Sequence, residues 1–187
     1  MTPSAPIQIG VFGAGRIGYR HARTVANEVL GAHLAAICDV HLESAQALAE
    51  LTSCERFTAD PAEILEDPTI GAVVIGSSTD SHAPLIEAAA AAGKHIFCEK
   101  PIALDLETTD RAIAAANAAG VQLQIGFQRR FDKAYAKASQ MIGEGKLGNI
   151  EVVRDTMRDP NPPHEAYIPT SGGLFRDMVI HDFDCVR

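Results

Sequence analysis

The chain has 187 residues, 47% apolar and 21% charged, with a net charge of −8. That is enough for one good core, or for one domain and part of another, and the negative balance argues against a general nucleic-acid surface. No apolar stretch is long enough to span a membrane, and Met1-Thr-Pro-Ser-Ala-Pro6 lacks the basic start and apolar core of a secretory signal, so the cytoplasm fits best.

The rest of the chain is organised around Ile7 to Gly18. Ile7, Ile9, Val11 and Phe12 read as a buried first strand that runs at once into Gly13-Ala-Gly15-Arg16-Ile17-Gly18. Each glycine has its own task in such a turn. Gly13 permits the reversal, Gly15 lets backbone approach a pyrophosphate, and Gly18 lets the next helix pack on the strand. That helix, Arg16 to Val29, would aim its unpaired N–H groups at the phosphates. Leu34 to Cys38 forms the second strand and is closed by Asp39, 21 positions past Gly18. An acid there accepts hydrogen bonds from the adenosine ribose and repels a 2′-phosphate, which points to NAD rather than NADP. A structural turn with no ligand is the plainer reading of a lone glycine motif; the strand, helix, strand and acid in order favour the dinucleotide.

Leu42 to Leu51 reads as a helix, and Asp60-Pro61 opens a short one through Leu65. Ala72-Val-Val-Ile75 is an unbroken apolar run and therefore a central strand. Ser77-Ser-Thr79-Asp-Ser-His82 follows it and opens a helix to Ala92, with Asp80 or Ser81 as the expected cap. The same turn lies at the carboxyl edge of the sheet, where ligands collect. His82 reads as a capping or supporting residue rather than a catalyst. His95 to Cys98 is the next strand, ending at Glu99-Lys100-Pro101; Leu106 to Ala119 is a helix stopped by Gly120, and Val121 to Ile125 is a further strand. This alternation predicts an α/β fold, a doubly wound parallel Rossmann sheet covered on both faces. The cysteines, Cys38, Cys54, Cys98 and Cys185, show no CxxC spacing, and two of them close buried strands.

The texture changes near Gly126. Residues 1–126 read as the nucleotide-binding domain, and 127–187 as the start of a second, α+β domain. Phe127-Gln-Arg129-Arg130-Phe-Asp132 leads into a helix to about Ile142. Arg129, Arg130, Lys133 and Lys137 form the one basic cluster, whose plain reading is a solvated helix face. Ile150 to Met157 reads as a strand, Arg158 to His164 as a proline-rich loop. Gly172-Gly173 precedes a helix carrying Asp177, His181 and Asp184.

Two sets of residues carry chemistry. Lys100, at a strand's carboxyl end, could donate to a substrate oxygen, although a surface lysine is the plainer reading of the tripeptide. Pro101 is a candidate for a cis bond. Asp177 and His181, four apart, would share one helix face, and a carboxylate beside an imidazole suits it to accept a proton. A helix ion pair, a capped turn and metal ligation all compete. The metal reading is weakest, because no other His or Cys has ligand-like spacing.

Together, Gly13 to Gly18, Thr79 to His82, Glu99 to Pro101, Gly126 to Asp132, Arg158 to Pro160 and Ser171 to Asp184 resemble the Gfo/Idh/MocA family of NAD(P)-dependent sugar and polyol oxidoreductases, nearest to its inositol-oxidising members. The resemblance implies a catalytic trio of Lys100, Asp177 and His181. His181 would be the general base for the substrate hydroxyl, Lys100 would hydrogen-bond the same oxygen, and Asp177 would hold a neighbouring hydroxyl. It implies Arg16, Ile17, Ser77, Thr79, His82 and Glu99 beside the cofactor, Arg129 and Asp159 lining the polyol pocket, and no resident metal. It also implies a homo-oligomer, a tetramer in a full-length parent, because family members continue past Arg187 into a large open sheet. The implied reaction is NAD-dependent oxidation of a cyclic polyol alcohol, with another inositol isomer, another sugar, or a nucleotide-binding module without turnover as alternatives.

Overall fold

Six segments become parallel strands: β1 (Ile7–Phe12), β2 (Ala32–Cys38), β3 (Phe57–Thr58), β4 (Ile70–Ile75), β5 (His95–Cys98) and β6 (Leu123–Ile125). In the computed structural model, which describes residues 5–159 and 161–187, they form one sheet in the order β3-β2-β1-β4-β5-β6. Every neighbouring pair is parallel. Between them run α1 (Arg16–Asn27), α2 (Leu42–Thr52), α3 (Ala62–Leu65), α4 (Thr79–Ala91) and α5 (Leu106–Ala119). Residues 1–4 and Pro160 lie outside the described residues, so the opening residues and the last residue of the Arg158-Asp-Pro motif receive no structural account.

The strands are apolar on both sides because both sheet faces are covered. Val11 and Phe12, adjacent and therefore on opposite faces, are 0% and 2% exposed. Val11 packs with Ala22, Val25, Leu34 and Ile37, and Phe12 with Ile64, Ile75, Ile86 and Cys98. The chain winds from β1 outward to β3, then returns to β4 and winds the other way to β6. The order therefore reverses between β1 and β4, and in open α/β sheets the ligand crevice lies at the carboxyl ends of such a switch point.

Several boundaries differ from the expectations. α1 ends at Asn27 rather than Val29, because the chain must turn through Gly31 (φ +80°) to bring Ala32 beside Ile7. That pairing also starts β2 two residues before Leu34. β3 leaves no mark in the sequence pattern, since two residues are too few for any alternation to register. Gly120 stops α5 in the left-handed conformation (φ 68°), and Asp105 caps its start by accepting from the Thr108 N–H at 2.7 Å.

The chain divides into two compact units, Met1–Ile125 and Gly126–Arg187. The second opens with a 3-10 turn at Gln128–Phe131, then α6 (Lys133–Gly143), whose first N–H groups are accepted by the Asp132 carboxylate. A 3-10 segment, Glu165–Thr170, leads to α7 (Leu174–Asp177) and α8 (Ile180–Val186). The strand expected over Ile150 to Met157 is not formed, and this unit has no strand among its described residues. Val152 is 84% exposed there. An isolated strand leaves its backbone unpaired and its apolar side in water, so the segment stays irregular. The helix expected after Gly173 is also broken, at Met178 and Val179.

Candidate functional site

The turn after β1 is built from backbone packed on backbone. Gly13 has φ +96°, and a Cβ there would lie 2.7 Å from Gly76 O and Ser77 N. A Cβ on Gly18 would sit 1.8 Å from Gly13 O, so only glycine lets α1 close onto the turn. At Gly15, by contrast, a Cβ would meet nothing within 4 Å. That open side lies at the start of α1, where Gly15 makes no side-chain cap and the first turn holds no acid. The leading N–H groups, of Arg16, Ile17 and Gly18, thus form an uncapped positive helix end, suited to a phosphate. Arg16 is exposed and Ile17 half-buried.

Asp39 is held at the end of β2 by both its oxygens. Oδ2 accepts from Ala14 N–H at 2.6 Å and Oδ1 from His41 N–H at 2.9 Å. The carboxylate is thereby tied to the glycine turn itself, and its further lone pairs can still accept from ribose hydroxyls. Val40, next in the chain, is 84% exposed and brings no positive charge. An open glycine face, an uncapped helix and a fixed acid fit a dinucleotide.

The loops after β4 and β5 complete the carboxyl edge of the first unit. Ser77 and Ser81 share a 2.6 Å hydroxyl–hydroxyl bond, and Ser81 Oγ donates to Ser78 O at 2.7 Å. The helix start therefore differs from expectation: Ser78 is the N-cap residue and makes no side-chain cap bond, Ser81 bonds a carbonyl instead, and Thr79, half-buried, opens α4. His82 is 2% exposed; its Nδ1 lies 2.8 Å from Pro101 O and its Nε2 3.1 Å from Ser77 O. Both ring nitrogens face backbone carbonyls, so His82 joins the two loops rather than offering an atom to a ligand. Glu99 Oε1 accepts from His21 Nε2 at 2.8 Å. The Lys100–Pro101 peptide bond is cis, and Lys100 is half-buried. Sequence reasoning passes over His21. It lies three residues after Gly18 and four before Val25, both buried, and that helical position on the inward face is the signal that could have found it.

In the second unit Asp177 ends α7 and accepts from the Tyr167 hydroxyl at 2.7 Å. His181 lies in the first turn of α8, 8% exposed, with the Phe127 ring edge-on at 6.3 Å and Gln128 Nε2 at 3.5 Å from its Nε2. The two residues occupy different helices, which corrects the expected shared face. Asp184 is engaged by Arg130. Both its oxygens accept from Arg130, at 2.7 Å each, a fork that makes this pair more than a solvated face. Arg129 donates to the Tyr135 hydroxyl at 2.8 Å and lies over its ring. Asp159 is exposed. Burial, followed by the neighbouring Asp155 charge, pushes the Asp182 carboxyl above the usual range. Among the described residues no three His, Cys, Asp or Glu side chains are grouped to hold a metal. No helix among them is long and apolar enough to cross a membrane.

A parallel sheet of this strand order, reversing beside an uncapped glycine turn and an acid at the end of β2, is the arrangement of a dinucleotide-binding domain. The model of the oxidoreductase family with an NAD-binding Rossmann fold matches residues 7–127, and that of the GFO/IDH/MocA C-terminal domain matches 135–187. The chain belongs to the Gfo/Idh/MocA family, and the cofactor of its first unit is NAD. It is 44% identical over 181 residues to myo-inositol 2-dehydrogenase of Thermotoga maritima, covering 97% of this chain and 54% of that protein. To inositol 2-dehydrogenase of Rhizobium meliloti it is 45% identical, with the same shares covered. Among solved structures, scyllo-inositol dehydrogenase from Lactobacillus casei with bound NAD(H) and scyllo-inositol superposes with a TM-score of 0.87 at 36% identity, over 97% of this chain and 55% of that one. The chain spans about half the length of the curated relatives it matches.

Proposed function

We propose that this chain supplies the cofactor site and the acid–base residues of an NAD-dependent inositol 2-dehydrogenase, with myo-inositol the first candidate substrate. The Asp39-locked glycine turn carries the reading. Identities of 44% and 45% to two inositol 2-dehydrogenases support the substrate class. Residues 1–126 are the NAD-binding domain and 127–187 the beginning of the catalytic one. Homo-oligomeric assembly and a cytoplasmic location belong to the same proposal.

When bound, nicotinamide supplies the hydride acceptor. The chain's own residues handle the proton and the orientation. His181 accepts the proton of the reacting hydroxyl, and its packing against Phe127 holds the ring still for that task. Lys100 donates a hydrogen bond to the same oxygen as negative charge develops there. Asp177, steadied by Tyr167, accepts from a neighbouring ring hydroxyl. Arg129 and Asp159 contribute to the polyol pocket. Gly13, Gly15, Arg16, Ile17 and Gly18 hold the pyrophosphate and Asp39 the adenosine ribose. Ser77, Thr79 and Glu99 flank the nicotinamide half, and His82 supports them from beneath.

The test joins this chain to the remaining half of the Thermotoga maritima relative and follows reduced-cofactor absorbance with a panel of inositols and sugars. NAD-dependent oxidation selective for inositol is expected. Lys100→Ala and His181→Ala should each lower turnover about 100-fold or more. Near-normal turnover in either variant would remove that residue from the trio, and oxidation of another sugar class in place of inositol would overturn the substrate.

A further inference from the structure

His21 stands where three parts of the first unit meet. It is carried by α1, the helix that begins at the glycine turn. Its Cδ2 lies 3.6 Å from where a Gly76 Cβ would be, so it packs over the end of β4. Its ring meets Phe97 of β5 edge-on at 5.0 Å, and its Nε2–H donates to Glu99 at 2.8 Å. His21 and Glu99 are only 26% and 20% exposed, which strengthens the bond beyond that of a solvated surface pair. Glu99 immediately precedes Lys100, and Glu99 N–H in turn donates to Ile75 O of β4. On the far side of the same loop His82 holds Pro101 O. The backbone bearing Lys100 is thus clamped from both flanks, and one clamp is anchored on the cofactor helix itself.

We propose that His21 is a positioning residue: through Glu99 it fixes the Lys100 loop to the helix that receives the pyrophosphate, so the cofactor and the lysine are held in one frame. This rests on the reading of Lys100 as the group that meets the reacting oxygen. A lysine on a short turn has four flexible side-chain bonds, and fixing its Cα relative to the cofactor removes one source of misplacement. Displacement of a reacting group by about 1 Å costs on the order of 100-fold in rate. Glutamine at position 21 also ends in an N–H donor and keeps the link; alanine removes it.

Lys100 can be watched directly in the 187-residue chain by dimethylating its lysines with carbon-13 formaldehyde and assigning its resonance through Lys100→Arg. In His21→Ala the Lys100 signal should move toward that of a solvated lysine, and the shift produced by adding NAD should shrink about fivefold or more, while NAD affinity stays within about threefold. His21→Gln should restore both signals, which a loss of packing alone would not explain. A Lys100 resonance and NAD response unchanged in His21→Ala, or unrestored in His21→Gln, would overturn the proposal. If NAD leaves Lys100 unmoved in the unaltered chain, the reading of Lys100 fails by itself. The positioning role is then decided by the cofactor-free resonance, which alanine must displace and glutamine must restore.

Discussion

Asp67 shows how a single side chain can set acid sensitivity away from the crevice. The Thr69 hydroxyl and backbone N–H and the Arg56 guanidinium hold its carboxyl well below the usual carboxylate range. A folded-state value depressed in this way adds stability above the unfolded carboxylate value, and that stability is lost as pH falls through the folded one. Asp67→Asn should therefore lower the melting temperature at neutral pH, and the deficit should vanish as acid protonates the native residue. A deficit that persists undiminished at the acid end would show that packing, not ionisation, accounts for it. The buried thiols behave in the opposite sense: burial, then the adjacent Asp39, pushes Cys38 up to about 11, and burial raises Cys98 still further. Without denaturant, a thiol reagent should reach Cys185 alone, which is the one cysteine not fully buried. Fast labelling of Cys38 or Cys98 would mean the sheet opens locally. At this scale the sequence reveals residue types but not partners. Asp184 is legible as an acid near His181, whereas its engagement by Arg130, 54 positions earlier, depends on folding.

The element with the least freedom is the join between β1 and α1. A methyl on Gly18 would meet Gly13 O at 1.8 Å, and backbone cannot yield as a side chain would. Gly18→Ala should cost about 3 kcal/mol, a fall of roughly 6–12 °C in melting temperature, with NAD binding abolished. Gly15→Ala, facing open space, should leave stability nearly unchanged and weaken only the cofactor. Equal destabilisation by the two, followed by calorimetry, would contradict the division of labour between these glycines. The central strands of the first unit, β2, β1, β4 and β5, are legible because each apolar run has strand neighbours on both sides, so pattern and environment agree. Ile150 to Met157 has the same apolar character without partners to pair with, and there the pattern alone misleads. The break between α7 and α8 is hidden for a related reason: the four-residue spacing of Asp177 and His181 is compatible with one helix but does not require it.

At the scale of the whole molecule the two units differ in how much apolar surface they cover. The first buries a covered parallel sheet; the second has no strand among its described residues and leaves Phe175 and Phe183 68% and 55% exposed. The 187-residue chain by itself should accordingly bind NAD while oxidising inositol little or not at all, since loosely held groups forfeit most of their rate advantage. Turnover comparable with an intact dehydrogenase would show that the second unit needs no further partner. The most direct measurement titrates this chain with NAD and NADP by calorimetry, before and after Asp39→Ala. Saturable NAD binding is expected, with NADP weaker by about tenfold or more through repulsion at the 2′ position, and a ratio that collapses in the variant. Equal affinity for the two cofactors, or an NADP preference that survives Asp39→Ala, would contradict the assignment of Asp39 to the adenosine ribose.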